Sequence, residues 1–169
     1  MAVLAHGLGK ALMPMAVLNK PGKLTDAGFT IIKGHPAAGH KILVKGVSVG
    51  ELPLDVVPHH FETMDGCDYP QQLKGEQISL CARIGAVCDV NDAITSKRPY
   101  KLGWDPAESI CKMAEWCHSH FDVRVFQAFV KCIGIYPSGS LVRLASGRLG
   151  VVTEQSGQSR LTPRVISVC

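Results

Sequence analysis

Asp89 and Asp92 stand three residues apart, and Arg98, Pro99, Tyr100 and Lys101 follow within the same short stretch. Residues at i and i+3 share a face of a helix, so the two carboxylates can face one cation. The helix that carries them should stop at Pro99, with the basic Arg98 and Lys101 on either side of the stop. Carboxylates hold a cation and a basic pair holds a phosphate; both in one segment point to metal-assisted phosphate chemistry. A second polar group, His59-His60-Phe61-Glu62 followed by Asp65-Gly66-Cys67-Asp68-Tyr69-Pro70, offers the mixed nitrogen and oxygen ligands that suit manganese or iron. His6, with Lys10 four residues on, and His35 between Gly34 and Pro36 extend the set. Each has an ordinary alternative. His6 can be a helix-end histidine beside a solvated lysine, and His35 a satisfied core histidine. The 59–70 cluster can be a surface loop, and Asp89, Asp92, Arg98 and Lys101 plain surface charges. Their joint order along a helical chain favours chemistry.

The elements that must position these residues are legible in outline. Residues 1–12 read as the end of an apolar helix, and the Asn19-Lys20-Pro21-Gly22-Lys23 stretch as a loop. Thr25 or Asp26 caps a helix running to about Lys45, bent near His35 by Pro36 and Gly39. Residues 51–61 form a short helix leading into His59 and His60, and 62–75 a polar loop. A strong helix is expected from Glu76, with Ile78, Cys81, Ala82, Gly85, Asp89 and Asp92 along one stripe. Asp105-Pro106-Ala107-Glu108 has a cap, a proline at the first position and a capping-box glutamate. Asp122 opens the last helix, with Val125, Phe126, Phe129, Val130 and Ile133 inward. After Pro137 the period changes, and residues 141–144 and 149–152 read as a β-hairpin. The fold class is therefore all-α: a helical bundle over 1–137, a small C-terminal hairpin over 138–155, and a truncated, weakly strand-like tail over 156–169.

At 169 residues, 46 % of them hydrophobic, with a net charge of +4, the composition is that of one globular domain with a real core. No apolar run is long enough to cross a bilayer, and residues 1–12 lack the basic leader of a signal peptide. The basic residues are scattered apart from Lys97, Arg98 and Lys101, which favours a small anionic ligand over a nucleic-acid polymer. Seven cysteines occur without a Cys-x-x-Cys pair, so a zinc site is not expected, and the cytoplasm is the natural compartment.

From about Ala2 to Gln155 the chain resembles the HD-GYP family, bacterial metal-dependent phosphodiesterases of cyclic di-GMP. The segments that carry the resemblance are Leu18-Asn19-Lys20-Pro21-Gly22-Lys23-Leu24-Thr25, His35-Pro36-Ala37-Ala38-Gly39, Asp65 to Pro70, Asp89 to Lys101, and Tyr136 to Val142 with the hairpin. The resemblance implies an all-α HD-type core that binds two or three metals, commonly iron or manganese, and hydrolyses cyclic di-GMP to the linear dinucleotide or GMP. By position, His6, His35, His60 and Asp89 would bind metal. Lys10 would act with Asp89 in catalysis by reaching the leaving group or phosphate. Tyr69 would contact the nucleotide, and Arg98 and Lys101 would grip its phosphate.

Three positions depart from the family pattern. Gly7 stands where the family has the aspartate of its His-Asp pair, Phe61 where it has a second histidine, and Asp68 where it has the glycine before Tyr69-Pro70. The helix that precedes the His-Asp pair in the family is also expected to be missing, leaving apolar surface for a homodimer or a protein partner to cover. The expected function is a phosphodiesterase weakened by Gly7 and Phe61. The alternative is an inactive module of bacterial signalling that binds a cyclic dinucleotide or a protein.

Overall fold

Ser79, Asp105 and Asp122 each start a helix by the same device. The side-chain oxygen of each accepts hydrogen bonds from backbone N–H groups of the first turn, which otherwise lack partners. The helices so begun are Leu80–Thr95, Pro106–Glu115 and Val123–Ile133. They enclose the main apolar core, built from Val87, Ile94, Ile110, Met113, Phe121, Val125 and Phe126. The computed structural model describes residues 5–46, 49–96, 103–156 and 162–168. Among them are seven α-helices, two short 3₁₀ segments and one three-stranded sheet.

The amino-terminal half wraps the other side of Leu80–Thr95. Its main pieces are a 3₁₀ segment, His6–Leu12, and the helices Asp26–Lys33, His35–Lys45 and Glu51–His59. Three expectations are corrected here. Residues 6–12 are 3₁₀ and not α-helical, because Gly7 and Gly9 are weak helix formers. The single bent helix to Lys45 is two helices broken at Gly34; Pro36 has no N–H to return to the Ile32 carbonyl, so the ladder is interrupted there. The helix expected from Glu76 starts at Leu80, after a 3₁₀ turn over Gly75–Gln77.

The hairpin is present as β1 (Leu141–Arg143) and β2 (Leu149–Glu154), with Val142 opposite Gly150. The weakly strand-like residues beyond it supply β3 (Arg164–Val168), which pairs antiparallel with β2. Val152 turns inward and is buried, while Leu141 and Ile166 are exposed.

A buried ion pair ties the last helix to the start of Leu80–Thr95. The Arg83 Nη1 donates to Asp122 Oδ2 at 2.9 Å, with both side chains about 5–6 % exposed, and Arg83 Nε donates to the Ile78 carbonyl at 2.8 Å. Burial would raise the Asp122 carboxyl, but hydrogen bonds from Arg124 and Arg83 hold it down at about 2, against an ordinary 3.8. A carboxyl lowered in the fold adds stability that is present above its unfolded pKa and lost as pH falls through the folded one. Here the window runs from about pH 4 down to about 2 and is worth roughly 2 kcal/mol. Replacing Arg83 with methionine leaves the carboxylate only the exposed Arg124 and the first-turn N–H groups and should cost about 3 kcal/mol at neutral pH, the low end for breaking a buried pair. In urea titrations that penalty should shrink as the pH approaches 2, where the carboxyl takes up a proton; a pH-independent penalty would contradict the pairing.

Candidate metal centre

The break at Gly34 has a chemical consequence. It frees the Ile32 carbonyl, and the His35 Nδ1 lies 2.8 Å from it. His60 repeats the arrangement at the end of the Glu51–His59 helix, with Nδ1 2.8 Å from the Val57 carbonyl. A carbonyl can only accept, so each Nδ1 carries the proton and each Nε2 keeps its lone pair. Both Nε2 atoms are buried without a partner. An imidazole held through Nδ1 with a bare Nε2 is the form in which histidine binds a metal. Burial drives both imidazoles below their ordinary pKa, His60 to about 4, so both are neutral at neutral pH.

Two more donors come from other elements. His6, on the 3₁₀ segment, has its Nε2 2.8 Å from Asp89 Oδ1, and Asp89 lies buried on the Leu80–Thr95 helix. Burial alone would raise the Asp89 carboxyl; the hydrogen bond and charge of His6, with His60 and Lys10 nearby, hold it below its ordinary value. The His6 and His60 ring centres are 5.1 Å apart and those of His35 and His60 5.6 Å. Four donors predicted from sequence thus come together from four separate parts of the chain. Among the described residues, however, no group of three or more His, Cys, Asp or Glu side chains is arranged to hold an ion as it stands. His6 and Asp89 spend their donor atoms on each other. The donor types and the two orphaned Nε2 atoms fit a borderline divalent ion, provided the His6–Asp89 hydrogen bond is exchanged for metal contacts.

The 3₁₀ segment is set by a contact between backbones. A Cβ on Gly9 would overlap the His35 carbonyl oxygen and lie 2.6 Å from the Gly39 nitrogen. This contact fixes where His6 and Lys10, on either side of Gly9, stand relative to the His35–Lys45 helix. Lys10 lines a cleft of about 360 Å³ together with Lys20, His35, Phe61 and Asp89. Lys20 was not singled out from sequence, although it belongs to the Asn19-Lys20-Pro21-Gly22 segment.

Other expected residues fall elsewhere. Asp92 is exposed and accepts from Ser96 Oγ at 2.8 Å, so the shared carboxylate face ends at Asp89. His59 turns to Asp55, 3.1 Å away; Asp55 in turn accepts from Ser79 Oγ. Glu62 clamps the following loop by accepting from the N–H groups of Gln71 and Leu73 at 2.7 and 3.0 Å. Tyr69 is stacked on Phe61 with centroids 5.0 Å apart, and burial, with the Asp68 and Asp89 charges, pushes its phenol pKa up. Arg98 and Lys101 lie outside the described residues.

The chain matches the HD domain family over residues 1–125. It is 59 % identical over 165 residues to a cyclic di-GMP phosphodiesterase of Pseudomonas aeruginosa, covering 98 % of this chain and 40 % of that protein. Identity is 38 % over 135 residues to a response-regulator cyclic di-GMP phosphodiesterase of Xanthomonas campestris, covering 78 % of this chain and 35 % of the relative. It is 34 % over 136 residues to a 3′3′-cGAMP-specific phosphodiesterase of Vibrio cholerae, covering 80 % and 29 %. The chain spans less than half the length of each of these relatives. Among the described residues no helix is long and apolar enough to cross a membrane.

Proposed function

The chain belongs to the HD domain family, and from that premise we propose that it is a cyclic di-GMP phosphodiesterase domain of the HD-GYP type whose hydrolysis is weakened by Gly7 and Phe61. The observation that carries this reading is the pair of buried, unpartnered Nε2 atoms on His35 and His60 beside the His6–Asp89 contact. His6, His35, His60 and Asp89 would hold the metal, iron or manganese. When bound, the ion supplies Lewis acidity at the phosphoryl oxygens. The Ile32 and Val57 carbonyls orient His35 and His60 before any ligand arrives. Lys10 and Lys20, at the cleft, neutralise phosphate charge, and Lys10 is the side chain assigned to the leaving oxygen. Before any ion is bound, Asp89 accepts from the His6 Nε2 and holds that ring in place; the bond gives way when both side chains turn to the metal. Tyr69 contributes by supporting Phe61. Arg98 and Lys101 are assigned to the distal phosphate. The absence of any disulfide among the described cysteines accords with a cytoplasmic setting.

A second reading, a binding module that takes up a cyclic dinucleotide without cleaving it, is favoured by Phe61, which sets a ring without donors against both His35 and His60. Turnover of cyclic di-GMP by chain loaded anaerobically with Fe(II) or Mn(II) separates the two. Slow release of linear dinucleotide or GMP is expected. Tight binding with no product would replace the phosphodiesterase by the binding module, and neither binding nor product would end both readings.

A further inference from the structure

We propose that Phe61 is the aromatic wall against which this chain stacks a nucleobase, so that the cleft is built for one nucleotide unit at a time. The inference rests on the nucleotide reading of the site and assigns a specificity-determining residue within it. Phe61 is the one Phe, Tyr or Trp among the described lining of the cleft, and Lys10 and Lys20 line the same space. A flat apolar ring and two lysines around one cavity match the two halves of a nucleotide. Lys10 is nearer Asp89, on which its charge acts. The Lys20 ammonium, now on the Lys23 carbonyl at 2.9 Å, is exposed and turns to a phosphate when one arrives. Aromatic side chains bind bases by stacking, and lysines bind phosphate as point charges.

The ring is held from several directions. Tyr69 stacks on it at 5.0 Å with the planes 21° apart, and the Lys33 ammonium lies 4.9 Å from the Tyr69 ring centre. His35 and His60 meet Phe61 steeply, at 84° and 68°. Tyr69 does not line the cleft; it backs Phe61, and the Glu62 clamp on Gln71 and Leu73 fixes the loop that carries it. A stacking platform fixed before binding loses little freedom when the ligand arrives. The cleft, about 360 Å³, lies at the small end of ligand sites and suits a single nucleoside monophosphate, with the second half of a dinucleotide lying outside it.

The test is calorimetric titration of the metal-stripped chain with GMP and with ribose 5-phosphate, which lacks the base. The unaltered chain should prefer GMP. Phe61→Leu keeps apolar volume without the ring and should weaken GMP by on the order of ten- to a hundred-fold, leaving ribose 5-phosphate unchanged. Phe61→Trp should retain GMP binding. Equal loss for both ligands, or no loss for either, would overturn the stacking role while leaving the phosphodiesterase reading intact. If the unaltered chain binds neither GMP nor cyclic di-GMP, the nucleotide reading fails together with it. Melting temperatures of the three proteins identify any loss caused by unfolding, and Phe61→Trp then decides: loss of GMP binding by a folded tryptophan variant counts against stacking.

Discussion

Joining Gly7→Asp to Phe61→His should turn a weak metal binder into a tight one. Space for the carboxylate exists: a Cβ on Gly7 would meet only the Lys10 side chain, at 3.9 Å. It would stand next to His6, whose Nε2 already reaches Asp89. Phe61 lies against both His35 and His60, with ring centres 5.1 and 4.7 Å away, so a histidine there begins among the existing donors. Losing a group that merely supports a ligand costs about 10–100-fold in affinity. Two restored ligands should therefore raise affinity by at least about 10²–10⁴-fold, read as metal retained after dialysis, and cyclic di-GMP turnover should rise with it. The single variants should do less than half each, because ligands on one ion act together. The same double variant exchanges a stacking ring for a coordinating one, so its metal-stripped form should bind GMP more weakly. Unchanged metal content in a folded double variant would mean that these histidines are not a ligand cage.

Gly9→Ala should be the most damaging single methyl in the amino-terminal half. Its Cβ would collide with the His35 carbonyl and the Gly39 nitrogen, which are backbone atoms and cannot rotate away. Overpacking of side chains costs about 1–3 kcal/mol and occasionally more; a collision with backbone belongs at the upper end, about 3 kcal/mol. For a chain of this size that lowers the melting temperature by roughly 6–12 °C. Gly39→Ala should cost less, since its nearest obstacles, a Val57 methyl at 2.9 Å and the Gly9 nitrogen at 3.0 Å, overlap far less than the His35 carbonyl does at Gly9. Gly7→Ala, with open space around it, should be close to neutral. The order Gly9, Gly39, Gly7 is the check, because a general intolerance of alanine in a 3₁₀ segment would affect Gly7 as much as Gly9.

Much of the scaffold was legible because its signals are local. A cap acts within one turn, so Thr25, Asp105 and Asp122 announce their helices whatever the rest of the chain does. The apolar spacing of Val125, Phe126, Phe129, Val130 and Ile133 likewise follows from one helix's own geometry, and these residues meet the main core. His6, His35, His60 and Asp89 could be named from types, order and family resemblance. Their convergence could not be derived from spacing, because residues 6 and 89 meet only through the packing of the 3₁₀ segment and two helices around Leu80–Thr95.

Spacing left each neighbouring pair ambiguous, and the tertiary structure gives the physical reason why the member that the resemblance assigned faces the site. His60, not His59, turns inward, since the helix ends between them and frees the Val57 carbonyl to fix His60. Asp89 is buried and Asp92 exposed, because the neighbouring elements cover only the first of two residues that share a helical side. The sequence around Pro36 and Gly39 predicts a bend; only the three-dimensional path shows that the helix breaks before His35 and releases the Ile32 carbonyl to hold the imidazole. Phe61, which in the sequence looks like a lost ligand, becomes a wall of the cleft only once Tyr69 is folded behind it. Local signals fix where elements begin, but burial is a property of what packs against them. A ligand's donor atoms depend on hydrogen bonds made at the far side of its ring, which no spacing along the chain encodes.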